Sequence, residues 1–339
     1  MKQIFSILML ALIAIGCSQD SANSSYKKPD APERKGWQGK PLYGDVESIT
    51  QASYALEDKF GEITRSKTED KTIYLLNEAG DVTEEIYSYG LLTDKIIYKY
   101  DNKGNMTEEA WYHDGSLCDK HIYKYDDKGN LTEIASYNSY GSLNDKHIYK
   151  YDAAGNVIEE ARYNSDGSLN NKHIYKYDAA GNVIEEAWYN SKGSRNEKRI
   201  YKYDAAGNRT EEARYNSEGS LNDKYIYKYD AAGNMTEWAR YNSEGSLYSK
   251  AIYKYDAAGN MTEMATYDSD GSLYSKRICK YDAAGNNTEI AMYDSDGSLN
   301  YKYIYKYDDV GNVTGWTEYA GEAMIPTKGG VQEIVYRNN

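Results

Sequence analysis

The side chains of this sequence that could carry catalysis or hold a metal are 4 histidines, 3 cysteines and a large stock of serines, aspartates and glutamates. Three of the histidines, His121, His147 and His173, fall at one repeating place, which then continues as Arg199, Tyr225, Ala251, Arg277 and Tyr303. If successive copies occupy alternate strands of one sheet, the imidazoles stand roughly 9 to 10 Å apart, too far to share a metal whose bonds are near 2 Å. They read as cross-strand partners of glutamate, His113 reads as a solvated turn residue, and no metal site is assigned. The serines sit mostly beside glycines in turns, without His and Asp on supporting elements, so no nucleophilic triad is assembled. Glutamates and aspartates recur in columns, but repetition gives every copy the same surroundings, whereas an acid/base pair needs carboxylates in different ones. The Asp-x-x-Gly-Asn segments lack the ligand density of a calcium loop. The chain therefore reads as non-enzymatic, with no catalytic residue and no cofactor.

Places that vary between copies are the better candidates for binding. The place of Arg162 becomes Trp111, Ser136, Trp188, Arg214 and Arg240, and the place of Glu160 becomes Ile134, Trp238, Met264 and Ile290. Tryptophan and arginine scattered over a sheet suit the docking of sugar rings or of a protein partner. Trp111, Trp188, Trp238, Arg162, Arg214 and Arg240 are the ligand-contact candidates, and a glycan or an envelope protein is the candidate partner.

The elements that must position these residues follow from an overt internal repeat. Ile148 opens IYKYDAAGNVIEEARYNSDGSLNNKH, and Ile174 opens its near copy IYKYDAAGNVIEEAWYNSKGSRNEKR, a period of 26 residues. Each unit holds two glycine turns. In Asp152-Ala153-Ala154-Gly155-Asn156 the aspartate caps its own turn and the glycine takes a left-handed conformation, and the turn around Gly167 has the same logic. Period-two alternation between the turns predicts strands of about eight residues and excludes helical hairpins.

A plain turn-to-turn register pairs Tyr149 with Glu159 and Tyr163 with Leu169. It puts Tyr149, Tyr151, Val157, Ala161 and Tyr163 on one face, with Ile148, Lys150, Glu160, Arg162 and Lys172 on the other. Glu159 is expected to accept from tyrosine hydroxyls or a neighbouring His or Lys, and Lys172 to pair across the strands. The predicted fold is all-β, a continuous antiparallel meander of tandem hairpins. Twist should coil it into a ribbon or curl it into a partial shell, and both remain open.

Composition agrees with a thin sheet. With 39 Tyr and 2 Phe, the chain cannot build the thick aliphatic core of an enzyme of 339 residues. The net charge of -13 argues against nucleic acid and against direct contact with anionic lipid. Cys118 and Cys279 lie many repeats apart and are not expected to pair.

The N-terminus, MKQIFSILMLALIAIGC, has a positive end and a short apolar run and reads as a secretion signal. Ala14-Ile15-Gly16-Cys17 resembles a bacterial lipobox, which implies cleavage before Cys17 and acylation there. Ser18 resembles the outer-membrane sorting class, with the periplasmic or outer face left open. The expected organisation is a signal peptide over 1–16 and lipidated Cys17 with a flexible tether over 17–40. Degenerate capping repeats follow over 41–97, regular repeats over 98–312 and a C-terminal capping segment over 313–339.

The element YKYDAAGN, carried by Tyr149, Tyr151, Asp152, Gly155 and Asn156, resembles the YD repeat of bacterial Rhs-type and teneurin-type shell proteins. It recurs from Tyr98 to about Asn312. The resemblance implies hairpins that wrap as a shell; with a longer period than that family's, it does not imply encapsulation.

Overall fold

The computed structural model describes residues 33–37, 40–43, 45–59, 62–89, 92–320 and 325–336. The signal peptide, Cys17 and most of the tether expected from the sequence lie outside the described residues. Within them the chain forms strands β1 to β24 in chain order. Strands β1 (Glu33–Trp37) and β2 (Lys40–Tyr43) pair only with each other.

The turns form as their residue types dictate. The Asp152 and Asn156 main chains bond at 2.9 Å, the Gly155 N–H donates to the Asp152 carbonyl, and Gly155 has φ of 92°. Asp152 Oδ1 accepts from the Asn156 N–H at 2.9 Å, and its Oδ2 accepts from Asn156 Nδ2 at 3.0 Å. The same bonds recur at Asp178, Asp204, Asp230, Asp256 and Asp282. A Cβ at Gly155 would meet nothing within 4 Å, so glycine is needed there for its dihedral and not for space.

The register past each turn differs from the plain one. Between β10 (Leu143–Tyr151) and β11 (Val157–Asn164), Tyr151 pairs with Val157 but Lys150 pairs with Glu159, so Ile158 is an extra residue. Between β11 and β12 (Leu169–Tyr177), Tyr163 pairs with Leu169 and Arg162 with Asn171, so Asn170 is extra. Each extra residue is a β-bulge, and a shift of one residue sends every later side chain to the other face. The face assignment is corrected accordingly. Tyr149 pairs with Glu160, not Glu159, and shares its face with His147 and Arg162. Lys146, Ile148, Lys150, Glu159, Ala161 and Tyr163 occupy the other. These are the aromatic face and the lysine face below.

The bulges also decide the overall form. Lys150 lies opposite Glu159, and Glu159 lies opposite Ile174, two positions short of Lys176, the repeat equivalent of Lys150. Lys202, Glu211 and Ile226 show the same offset, as do Lys280, Glu289 and Ile304. Two residues of stagger over two strand spacings tilt the strands by about 35°, within the range at which barrels close.

The sheet does close. Strand β24 (Ile325–Tyr336) pairs with β3 (Val46–Lys59) from Lys328↔Ala55 to Tyr336↔Val46, making one barrel of β3 through β24. The ribbon and the partial shell are both corrected by this pairing, since 22 antiparallel strands leave no edge. A circular barrel of that number and tilt has a backbone radius of about 20 Å.

Cys279, Ile290 and Tyr303 form a buried apolar cluster in the later repeats, and the seam carries an aliphatic one. Val46 and Ile49 are fully buried with Tyr74 and Leu76, and Val82 and Ile334 pack against them. Close approach is made possible by glycine: a Cβ on Gly330 would stand 2.2 Å from Trp316 Nε1, and one on Gly329 would stand 2.9 Å from Tyr54. Elsewhere hairpins are latched by tyrosine. The Tyr151 hydroxyl donates to the Leu131 carbonyl at 2.6 Å, and Tyr177, Tyr203 and Tyr255 reach the carbonyls of Val157, Val183 and Met235. Cys279 is buried and Cys118 is exposed, and no disulfide joins them.

Two outcomes follow. Gly330→Ala should lower unfolding stability by about 1–3 kcal/mol through overpacking against Trp316, a penalty that vanishes in a Trp316→Ala background when both series are followed by thermal melting. Tyr177→Phe, which removes one of many equivalent latches, should cost about 1 kcal/mol in the same assay.

Candidate functional site

The lysine face repeats with little change. Glu159 accepts from Lys150 at 2.8 Å within its hairpin and stands 3.6 Å from Lys172 of the next. Glu133 is held in the same way by Lys124 and Lys146, Glu211 by Lys202 and Lys224, and Glu263 by Lys254 and Lys276. The hydrogen bond from Lys150 holds the Glu159 carboxyl below its ordinary pKa against the opposing effect of burial. Ala161 is buried beneath this ladder. Tyrosine hydroxyls bond the neighbouring glutamate column, on the other face of the sheet, as Tyr123 does to Glu109 at 2.8 Å and Tyr98 to Glu85 at 2.8 Å.

The aromatic face changes from hairpin to hairpin. His121 lies 3.5 Å from Glu109 and 3.4 Å from Asp119, and edge-on to Trp111 with centroids 5.2 Å apart. His147 contacts Glu160 at 3.3 Å, and His173 packs edge-on against Trp188 at 4.5 Å. Burial lowers the His173 pKa. Among the described residues no group of three or more His, Cys, Asp and Glu could hold a metal ion.

One sector departs most from the repeat: β13 (Val183–Asn190), β14 (Arg195–Tyr203), β15 (Arg209–Tyr215), β16 (Leu221–Tyr229) and β17 (Met235–Asn242). Here Glu186 pairs with Arg199, Arg199 with Arg214 and Arg214 with Asp223 in one row across the strands. The adjacent row runs Tyr201, Glu212, Tyr225, Arg240. The guanidinium groups lie on rings: Arg199 over Trp188 at 4.5 Å, Arg214 over Tyr225 at 4.6 Å, Arg240 over Tyr248 at 4.7 Å and Arg209 over Tyr227 at 5.0 Å. Stacking of this kind fixes a planar donor group at little entropic cost.

Acids hold each arginine by part of its donor set. Arg199 Nε donates to Glu197 at 2.7 Å, Arg214 Nε to Glu212 at 2.7 Å, and Arg240 gives Nε and Nη2 to Asp223 Oδ2 at 3.1 and 2.8 Å. Burial opposes the charge of Arg214, and Glu212 more than offsets it, so its pKa is raised. Asp223 is 7% exposed, and its Oδ1 is buried with no hydrogen-bond donor. Burial raises the Tyr227 pKa to about 12.

Of the residues singled out from the sequence, Trp188, Arg214, Arg240 and Trp238 meet in this sector. Tyr225 and Trp238 have centroids 6.0 Å apart. Trp111, on β7 (Met106–His113), and Arg162, on β11, stand away from it, and Arg162 pairs with Asp145 at 2.7 Å. Arg199, Arg209, Asp223 and Tyr225 were not among the candidates. Each varies at a repeat place, which is the signal that marks it, but only the register shows that they adjoin.

Open grooves of about 490 and 500 Å³ also lie between neighbouring turns, one lined by Ile184, Tyr201 and Tyr203 and the other by Ile158, Tyr175 and Tyr177. They are successive copies of one feature and belong to the repeat.

A family model described as "Uncharacterised protein" matches residues 100–222. No curated protein matches the chain. Among solved structures, a Tc holotoxin pore of Photorhabdus luminescens is similar over 79% of this chain and 15% of that chain, at 16% identity and a TM-score of 0.38. A porin-like protein of Bacteroides uniformis is similar over 86% of this chain and 98% of that one, at 9% identity and a TM-score of 0.31. The chain thus spans about 15% of the length of the toxin structure. The kinship with Rhs-type and teneurin-type YD-repeat proteins expected from the sequence is corrected: the hairpins close on themselves as a barrel of 22 strands and do not wrap as a shell.

The carboxylates yield a pH expectation. Asp152 is held below its ordinary pKa by its bonds to Asn156, and Glu159 by Lys150. A depressed pKa contributes stability above the unfolded-state value and loses it as pH falls, so the melting temperature should be level from pH 7 to about 5.5 and drop below about pH 4.5. Circular dichroism melts across that range check this, and a flat profile down to pH 3 contradicts it.

Proposed function

We propose that this protein is a non-enzymatic, lipid-anchored barrel of the bacterial outer membrane that presents its aromatic face as a binding scaffold for glycan or for an envelope protein. The carrying observation is the sector in which Trp188, Arg199, Arg214, Tyr225, Trp238 and Arg240 adjoin on one face. Ordered rings beside rigid guanidinium groups are the chemistry of a docking surface. A second reading, a structural spacer of the envelope, is favoured by the recurring Lys-Glu pairs of the other face.

Attachment through lipid is supported by the barrel's own faces. A barrel that crosses a membrane needs an outward apolar band about 25 Å tall. Here one face carries Lys150, Glu159 and Lys172, and the other carries Asp145, Glu160 and Arg162 in one repeat and Arg199, Arg214 and Arg240 in later ones. Neither offers such a band, so the acyl chains on Cys17 are the means of attachment in this reading, each methylene adding about 0.8 kcal/mol.

Cys17→Ser should abolish acyl labelling and move the protein from the membrane pellet to the soluble fraction; retention in the pellet would show that the barrel itself inserts. For binding, soluble protein beginning at Ser18 should capture specific material from a glycan array or an envelope extract. A Trp111→Ala/Trp188→Ala/Trp238→Ala variant that still melts cooperatively should weaken capture by about tenfold or more. Equal capture by both proteins removes the aromatic face from the function, and no capture by either favours the spacer.

A further inference from the structure

We infer that the β13–β17 sector takes an uncharged sugar polymer and recognises it through neighbouring hydroxyls. The inference rests on the reading of the aromatic face as a binding surface and names the ligand class of that surface.

The first ground is charge. The sector holds four cations, Arg199, Arg209, Arg214 and Arg240, and four anions, Glu186, Glu197, Glu212 and Asp223, on the same face. It is balanced, within a chain of net charge -13. A polyanion gains nothing from a balanced site and is repelled by the remainder of the protein, and a polycation meets guanidinium groups at the surface. A neutral ligand incurs neither cost.

The second ground is the pattern of donors and acceptors. Arg199 and Arg214 pair across adjacent strands, and each bonds its acid through Nε, leaving both Nη atoms without an acceptor among the described residues. Beside them Asp223 Oδ1, 3.9 Å from Arg214 Nε, is an acceptor without a donor. The other oxygen of that carboxylate is held by Arg240, which lies over the ring of Tyr248, a residue 58% exposed, and a ligand reaches Oδ1 only when this pair moves aside. A hydroxyl both donates and accepts, and two hydroxyls on adjacent sugar carbons satisfy a guanidinium edge and a carboxylate oxygen together. A buried carboxylate oxygen without a donor is unfavourable, and a sugar hydroxyl relieves it.

The third ground is the rings. Trp188, Tyr225 and Trp238 lie on β13, β16 and β17 of the same face, and Tyr225 and Trp238 are in contact. Rings spread from β13 to β17, beside the guanidinium groups stacked on them, suit successive sugars in a chain and not a single small ligand.

The test uses the soluble protein with laminarin and dextran as neutral probes and polygalacturonate as the acidic one, by isothermal calorimetry. A neutral probe should bind, with affinity changing less than about twofold between 0.05 and 0.5 M NaCl, since little net charge is neutralised. Arg214→Lys keeps the charge, removes the planar fork and should weaken that binding about tenfold. Asp223→Asn should weaken it similarly, with its melting curve compared first because Asp223 also holds Arg240. Salt-sensitive binding of polygalacturonate in place of the neutral probes overturns the ligand class while leaving the surface a binding surface. Neutral binding unchanged in Arg214→Lys but lost in the triple tryptophan variant overturns the site and keeps the wider reading. If no sugar binds, the glycan reading falls with the inference.

Discussion

One extra residue after each glycine turn of the regular repeats governs this molecule. Ile158 and Asn170 are the copies in one repeat, and each advances its strand by one position against its neighbour. The advance has two effects that cannot be separated. It fixes which side chains share a face, because strand periodicity is two. It also staggers successive hairpins by two residues, and the accumulated stagger gives the tilt at which a sheet of this width closes. A meander without the bulges would carry different faces and would present two open edges.

Closure changes what the protein needs for stability. Thin sheets of tyrosine, alanine and charged residues bury little apolar area, and the repeats here show it: their buried positions are chiefly small ones such as Ala110, Ala161, Ala187 and Ala239. The burden is carried instead by many equivalent polar contacts, the capped turns, the tyrosine latches and the lysine-glutamate ladder. Each contributes modestly because much of it is exposed to water. Cys279, Ile290 and Tyr303 form one exception, and the seam is the other. It joins strands that do not share the repeat, and there Val46, Ile49, Tyr74 and Leu76 supply a conventional apolar cluster.

Regularity and function divide between the two faces. The lysine face keeps the Lys-Glu pair within each regular hairpin, as at Lys150–Glu159, Lys176–Glu185 and Lys228–Glu237. The lysine of the next hairpin bonds the same glutamate in some copies and lies over a tyrosine ring in others. The aromatic face is free to vary, and between β13 and β17 its variation concentrates arginines, rings and a buried aspartate with one oxygen unbonded. A wide barrel of short strands is a suitable support for such a surface, because residues far apart in sequence are placed on adjacent strands at fixed spacing.

The turns were determined by the sequence alone. Asp152, Gly155 and Asn156 specify a capped turn with a left-handed glycine through local bonds, and local bonds are readable from residue types. The all-β, antiparallel order of the hairpins followed from the same signals. The faces were not legible, because Ile158 and Asn170 look like ordinary strand residues; nothing in their chemistry marks them as extra, and an error of one position transfers Glu160 and Arg162 to the wrong side. Closure was equally hidden. It depends on a sum of small staggers and on a long-range pairing of β24 with β3, where Gly329 and Gly330 admit the rings of Tyr54 and Trp316. The meeting of Arg199, Arg214, Asp223 and Arg240 was decided there too, since only the register across four strands brings their side chains onto one surface.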